Sequence, residues 1–157
     1  MRTTGATPSH EPSLPIPVPT RAGLVCYGFS TLPHTPKGKI MNDNAKLLTT
    51  ALRSGQFPQG YGLLHNLKTN TYCVLGVACE VFCEHGGRLS RIQLDTIELY
   101  EGKEFTLPRC VQNWLGFASR DGCCGGTSLV KLNDAHMSFA YLADLIESKP
   151  EGLFIDS

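Results

Sequence analysis

Tyr72–Gly87, Tyr-Cys-Val-Leu-Gly-Val-Ala-Cys-Glu-Val-Phe-Cys-Glu-His-Gly-Gly, is the stretch that constrains this chain most. It is the most apolar segment and holds three of the seven cysteines. Val74, Val77, Ala78, Val81 and Phe82 recur at helical spacing and form one broad apolar stripe. Gly86 and Gly87 suit a helix end, because glycine enters the left-handed conformation without steric cost. The pattern predicts a buried helix over 73–85. Gly76 within it costs about 1 kcal/mol of helix propensity against alanine, so a neighbour is expected to pack closely there.

A length of 157 residues suits one domain. Fourteen basic residues balance fourteen acidic ones, which gives no electrostatic case for a nucleic-acid or anionic membrane surface. The apolar runs fall well short of the ~20 residues that cross a bilayer, and no stretch has the layout of an export signal. An odd number of cysteines without such a signal points to reduced thiols and a cytoplasmic setting.

Residues 1–40 carry seven of the ten prolines, and Glu11 is their only acidic residue. Pro15, Pro17 and Pro19 alternate with Ile16 and Val18, a pattern of extended, disordered tail rather than packed structure. Lys37-Gly38-Lys39 requires purine-rich codons, which resemble a ribosome-binding site ahead of Met41. We therefore expect a translation start at Met41 and a globular domain over 41–157.

Within that domain, Asn42-Asp43-Asn44 reads as a helix cap, followed by the apolar face Leu47, Leu48, Ala51 and Leu52. Phe57–Gly62 reads as a loop and Leu63–His65 as a short strand. Ile97, Leu99, Phe105 and Leu107 on either side of Glu101-Gly102-Lys103 predict a β-hairpin. Pro108 opens a short helix through Val111, Trp114 and Leu115. Arg120–Ser128 reads as a flexible loop and Leu129–Leu132 as a short strand or turn. Ser138 caps a last helix with Phe139, Leu142, Ala143 and Ile146 on its buried face. The expected fold is a small α+β domain with a central buried helix, helices near 43–54, 73–85, 109–115 and 138–148, and a small antiparallel sheet.

Three placements of chemistry follow. Cys73, at the predicted head of the central helix, would have its pKa lowered by the helix dipole. With Gln59 as an oxyanion donor and His136 or Asn133 completing the set, it would serve a thiol-dependent hydrolase. The same helix head, with the Gln59-Gly60-Tyr61-Gly62 loop, would instead hold an anion. There Tyr61 or Tyr72 would stack on a base, and Arg53, His65 or Lys68 would add charge. Asn133-Asp134 reads as a turn and cap, with ligand contact as its alternative. Cys79, Cys83 and His85 might suggest a metal but lack any finger spacing, and Cys79 and Cys83 are read as core, so no metal and no cofactor is expected.

Several stretches also carry a resemblance: Gln59-Gly60, Tyr72-Cys73-Val74-Leu75-Gly76-Val77-Ala78-Cys79, Trp114-Leu115-Gly116-Phe117, Leu132-Asn133-Asp134 and Ala143–Glu147. In this order, over about residues 45–147, the chain resembles small uncharacterised proteins of tailed bacteriophages and bacteria with a Cys-Cys-Leu-Gly motif. Val74 stands here where many of those proteins carry the second cysteine. His136 falls where glycine is usual. The resemblance implies a phage or prophage setting and no established activity.

The leading functional expectation is a non-catalytic phage accessory protein that binds a small anionic or nucleotide-like ligand, as in counter-defence sequestration. Its ligand-binding residues would be Gln59, Gly60, Tyr61, Tyr72, Cys73, Asn133 and Asp134. The alternatives are the Cys73 hydrolase and an interaction module that inhibits a host protein.

Overall fold

A computed structural model describes residues 40–156 of the chain. The expectations for the Pro-rich tail and for a start at Met41 therefore concern residues that, Ile40 and Met41 apart, lie outside the described ones. The described residues form an α+β domain of five helices, a four-stranded antiparallel sheet and a separate two-stranded one.

Helix α1, Asp43–Arg53, starts where Asn42 accepts the Ala45 N–H at 2.8 Å. Its buried face is Ala45, Leu48, Thr49 and Leu52. Strands β1, His65–Asn66, and β2, Thr71–Tyr72, form a short antiparallel pair. Helix α2, Val74–Glu84, is the element expected from the apolar stripe, and its first six residues are all buried. The close neighbour of Gly76 is the backbone of Leu64: a Cβ on Gly76 would lie 1.7 Å from the Leu64 carbonyl oxygen.

Strands β3, Arg91–Leu94, and β4, Ile97–Tyr100, make a hairpin that pairs Arg91 with Tyr100 and Gln93 with Glu98. This corrects the expected hairpin. Its turn is Asp95-Thr96, where Asp95 takes φ 41°, and not Glu101–Lys103. The latter residues do turn the chain, but only one bridge, Tyr100 to Lys103, forms across them. The sheet order is β2-β1-β4-β3.

Helix α3, Arg109–Leu115, follows Pro108 and closes on Gly116 in the left-handed region at φ 74°. Arg120–Ser128 is not a loop throughout. Strands β5, Cys123–Cys124, and β6, Thr127–Ser128, pair about Gly125-Gly126. Positive φ at both glycines, 53° and 87°, is what a tight two-residue hairpin turn demands. The expected strand at 129–132 is instead a short helix α4, Leu129–Asp134, capped by Ser128, whose hydroxyl accepts the Lys131 N–H at 3.2 Å. Helix α5, Phe139–Glu147, starts at Ser138 and packs on α1. Arg53 of α1 reaches both Asp144 and Glu147 of α5, so its charge is engaged there. No helix among the described residues is long and apolar enough to cross a membrane.

Candidate functional site

The residues expected to bind a ligand gather in part, and they bond to one another. Gln59 donates through Nε2 to Asn133 Oδ1 at 3.0 Å and to the Met137 carbonyl at 2.7 Å. Asn133, fully buried at the end of α4, donates back to the Gly60 carbonyl at 2.9 Å. Asp134 accepts the Gly62 N–H at 2.9 Å. Tyr61 meets His136 edge to face at 4.3 Å. The glycine loop is thus clasped to α4 by its own polar groups.

Tyr72 meets this loop through its backbone, its carbonyl accepting the Gly60 N–H at 2.7 Å and its N–H donating to the Pro58 carbonyl at 2.9 Å, while its ring stacks flat on His65 at 4.0 Å. Lys68 is exposed in the β1–β2 turn.

Cys73 is the residue before α2, and only 3% of its surface is exposed. The expected lowering of its pKa is corrected. Burial pushes the thiol up to about 11, against the lowering effect of backbone N–H groups of Gly76 and Leu75. Val74, Leu75 and Gly76 are buried with it, so the head of the helix faces protein. A thiol held neutral inside the core is a poor nucleophile.

The sheet carries a second constellation that sequence reasoning missed. Paired residues of antiparallel strands share a face. Tyr72, His65, Glu98 and Gln93 therefore form one row across all four strands, with Tyr100 and Arg91 beside it. Glu80 of α2 faces this row. His65 Nδ1 lies 2.8 Å from Glu98 Oε2, and Nε2 lies 3.1 Å from Asn70 Oδ1. Arg91 donates to both oxygens of Glu80 at 3.0 Å and lies 3.6 Å from Glu98. The Tyr100 hydroxyl donates to Glu80, and Gln93 donates to Glu98 at 3.2 Å.

Burial raises the Glu98 carboxyl, but hydrogen bonds from His65, Gln93 and Tyr100 and the Arg91 charge outweigh it, and its pKa is lowered. Burial and the neighbouring Glu80 raise the Tyr100 hydroxyl. His65, Glu80 and Glu98 bring three ligand atoms within 4.8 Å of one another, a spacing that would admit a divalent cation. Arg91 already supplies positive charge to both carboxylates. Among the described residues no buried side-chain nitrogen or oxygen lacks a partner. The cluster is a satisfied polar network, and its groups are aimed at each other.

The opposite face of the same hairpin is aliphatic. Ile92 pairs with Leu99 and Leu94 with Ile97. Ile92 is 45% exposed and Leu94 48%, while Ile97 and Leu99 are half-buried. A sheet with one solvated face ordinarily turns its apolar side inward. This hairpin does the reverse. The signal was present as strict alternation over Arg91–Leu94 and Ile97–Tyr100, but alternation does not say which face is inside.

A separate open depression of about 590 Å³ lies at the β5–β6 hairpin, walled by Cys123, Gly125, Gly126, Lys131 and Glu151 among others. Cys123 is exposed there, and its thiol donates to Asp121 at 3.3 Å.

No curated protein and no solved structure matches the chain. Residues 41–150, most of its length, match a domain of unknown function, DUF8296. The chain belongs to the DUF8296 family.

Proposed function

We propose that this domain is a non-catalytic interaction module that binds another polypeptide through the outer face of the β3–β4 hairpin. One observation carries the reading: Ile92, Leu94, Ile97 and Leu99 stand on the outward side of a sheet whose inward side is charged. Exposed aliphatic side chains arranged as a patch favour association, because covering them removes apolar surface from water. Rigid support from the polar network beneath favours it further, since a preformed surface loses less entropy on binding. The resemblance to phage proteins supplies the setting, a host protein that the module would inhibit.

The test is affinity capture from a host lysate with two surface variants. Leu94→Lys places a charge on the hairpin face. Tyr141→Lys does the same at an exposed position on α5. The expected outcome is a polypeptide retained by the unaltered chain and by Tyr141→Lys and lost with Leu94→Lys. Equal retention by all three would sink the reading.

A small anionic ligand keeps one observation in its favour, the depression beside Lys131. Glycine-rich walls allow close backbone approach, and the lysine offers charge. A rise in melting temperature with a nucleotide, absent in Lys131→Ala, would support that reading; no shift across a broad nucleotide panel would remove it.

A further inference from the structure

We propose that the depression at the β5–β6 hairpin is a binding site for a basic α-amino acid, a small molecule with one carboxylate and two cationic groups. The proposal rests on the small-ligand reading of that depression given above: it keeps the anionic group on Lys131 and supplies the rest of the ligand. It does not involve the hairpin face that binds a polypeptide.

The walls come from separate parts of the chain that are tied together through the backbone. The Gly125 N–H at the hairpin tip donates to the Glu151 carbonyl at 2.8 Å, and the Leu129 N–H donates to the Gly122 carbonyl at 3.0 Å. The Cys123 N–H donates to the Ser119 hydroxyl at 2.7 Å. The space between these parts is therefore formed before a ligand enters, and its volume of about 590 Å³ suits a small molecule. A Cβ on Gly125 or Gly126, both in the wall, would meet no atom within 4 Å, so the backbone there is open to close approach.

Charge selects the ligand. Two carboxylates, on Asp121 and Glu151, and one ammonium, on Lys131, line the depression. On the α1–α5 side of the domain opposite charges meet, Lys46 with Asp43 and Arg53 with Asp144 and Glu147. The charges of the depression are held apart instead. Among the described residues no ion pair joins Lys131 to either acid, and neither Lys131 nor Glu151 has a side-chain hydrogen bond. Asp121 accepts only a weak donor, the Cys123 thiol at 3.3 Å. A simple anion would meet one ammonium and two like charges, and a simple cation would leave the lysine unmatched. A basic α-amino acid sets its carboxylate against Lys131 and its two cationic groups against Asp121 and Glu151, so each charge meets its opposite. No aromatic ring lines the space, so a nucleobase has nothing to stack on.

The charged contacts are open to water, and we expect a dissociation constant of roughly 0.1 to 1 mM for L-lysine or L-arginine. Calorimetry of the full chain compares these two with cadaverine, which is lysine without its carboxylate, and with a panel of nucleotides. The expected result is binding of both amino acids, with cadaverine at least about tenfold weaker. Lys131→Gln should abolish that preference, and Glu151→Gln should weaken L-lysine at least about fivefold. Both positions are exposed, so neither change threatens the fold. Cadaverine binding as tightly as L-lysine overturns the proposal. Nucleotide binding without amino-acid binding overturns it and leaves the anionic reading standing; no binding by any of these probes removes both.

Cys123 gives the location. It is exposed in the wall of the depression, while Cys110, exposed on α3, serves as the internal control. With L-lysine at roughly ten times its dissociation constant, iodoacetamide should modify Cys123 at least about threefold more slowly and Cys110 at an unchanged rate. Equal slowing of both thiols, or of neither, overturns the proposal.

Discussion

His65 and Glu98 face each other from adjacent strands, 2.8 Å apart and both buried, where a sheet of this size would ordinarily carry two aliphatic side chains. The pair persists because it is embedded: Gln93 and Arg91 also serve Glu98, and Asn70 serves His65. Removing one member of such a set leaves the others charged or polar without water.

The pH dependence of stability follows from Glu98. Its folded pKa is depressed, so the unfolded chain takes up the proton first as pH falls. The stabilisation is full above the ordinary glutamate pKa of about 4.3 and is lost as pH falls from there through the lower folded value. Glu98→Gln should cost about 2 kcal/mol at neutral pH and flatten the acid limb of the stability curve. Urea unfolding of both proteins between about pH 7 and 3 checks this; parallel curves would contradict it.

Gly76→Ala should be the most damaging single methyl in the domain. The added carbon would lie 1.7 Å from the Leu64 carbonyl oxygen, and that carbonyl also accepts the Cys73 N–H. Strand and helix must separate to admit it, at a cost of about 3 kcal/mol. The urea midpoint reports it directly.

Asn133→Ala should open the clasp on the glycine loop. The Gly60 carbonyl and Gln59 would lose their buried partner, a loss of about 2 kcal/mol. Hydrogen exchange separates the local effect from the global one: the amides of residues 59–62 should speed up more than those of 74–84.

The thiols should divide sharply under alkylation. Cys73, with its pKa pushed up to about 11, is almost entirely neutral at pH 8, while Cys110 and Cys123 are exposed. Iodoacetamide followed by peptide mass analysis should show Cys110 and Cys123 modified long before Cys73. Early labelling of Cys73 would revive the hydrolase reading.

The helices were legible because their signals are local. Asn42 and Ser138 cap, Val74–Phe82 and Phe139–Ile146 keep helical periodicity, and Gly116 ends α3. Two features hid the rest. The Asp95-Thr96 turn contains no glycine, so the alternating residues around it were matched to the more conspicuous Glu101-Gly102-Lys103. Ser128 caps a helix of only six residues, too short for a period to show. The polar network joins β1, α2, β3 and β4, and no spacing along the chain could bring Glu80, Arg91 and His65 together. The clasp between Gln59 and Asn133, 74 positions apart, is equally invisible in one sequence.

A hairpin seated on oily side chains can slide, because dispersion contacts are nearly indifferent to a two-residue step. This one rests on directional bonds, and such a step would take Gln93 and Arg91 away from the carboxylates they serve. The polar lining therefore acts as a locating pin, and the aliphatic face above it holds a single shape before any other molecule arrives.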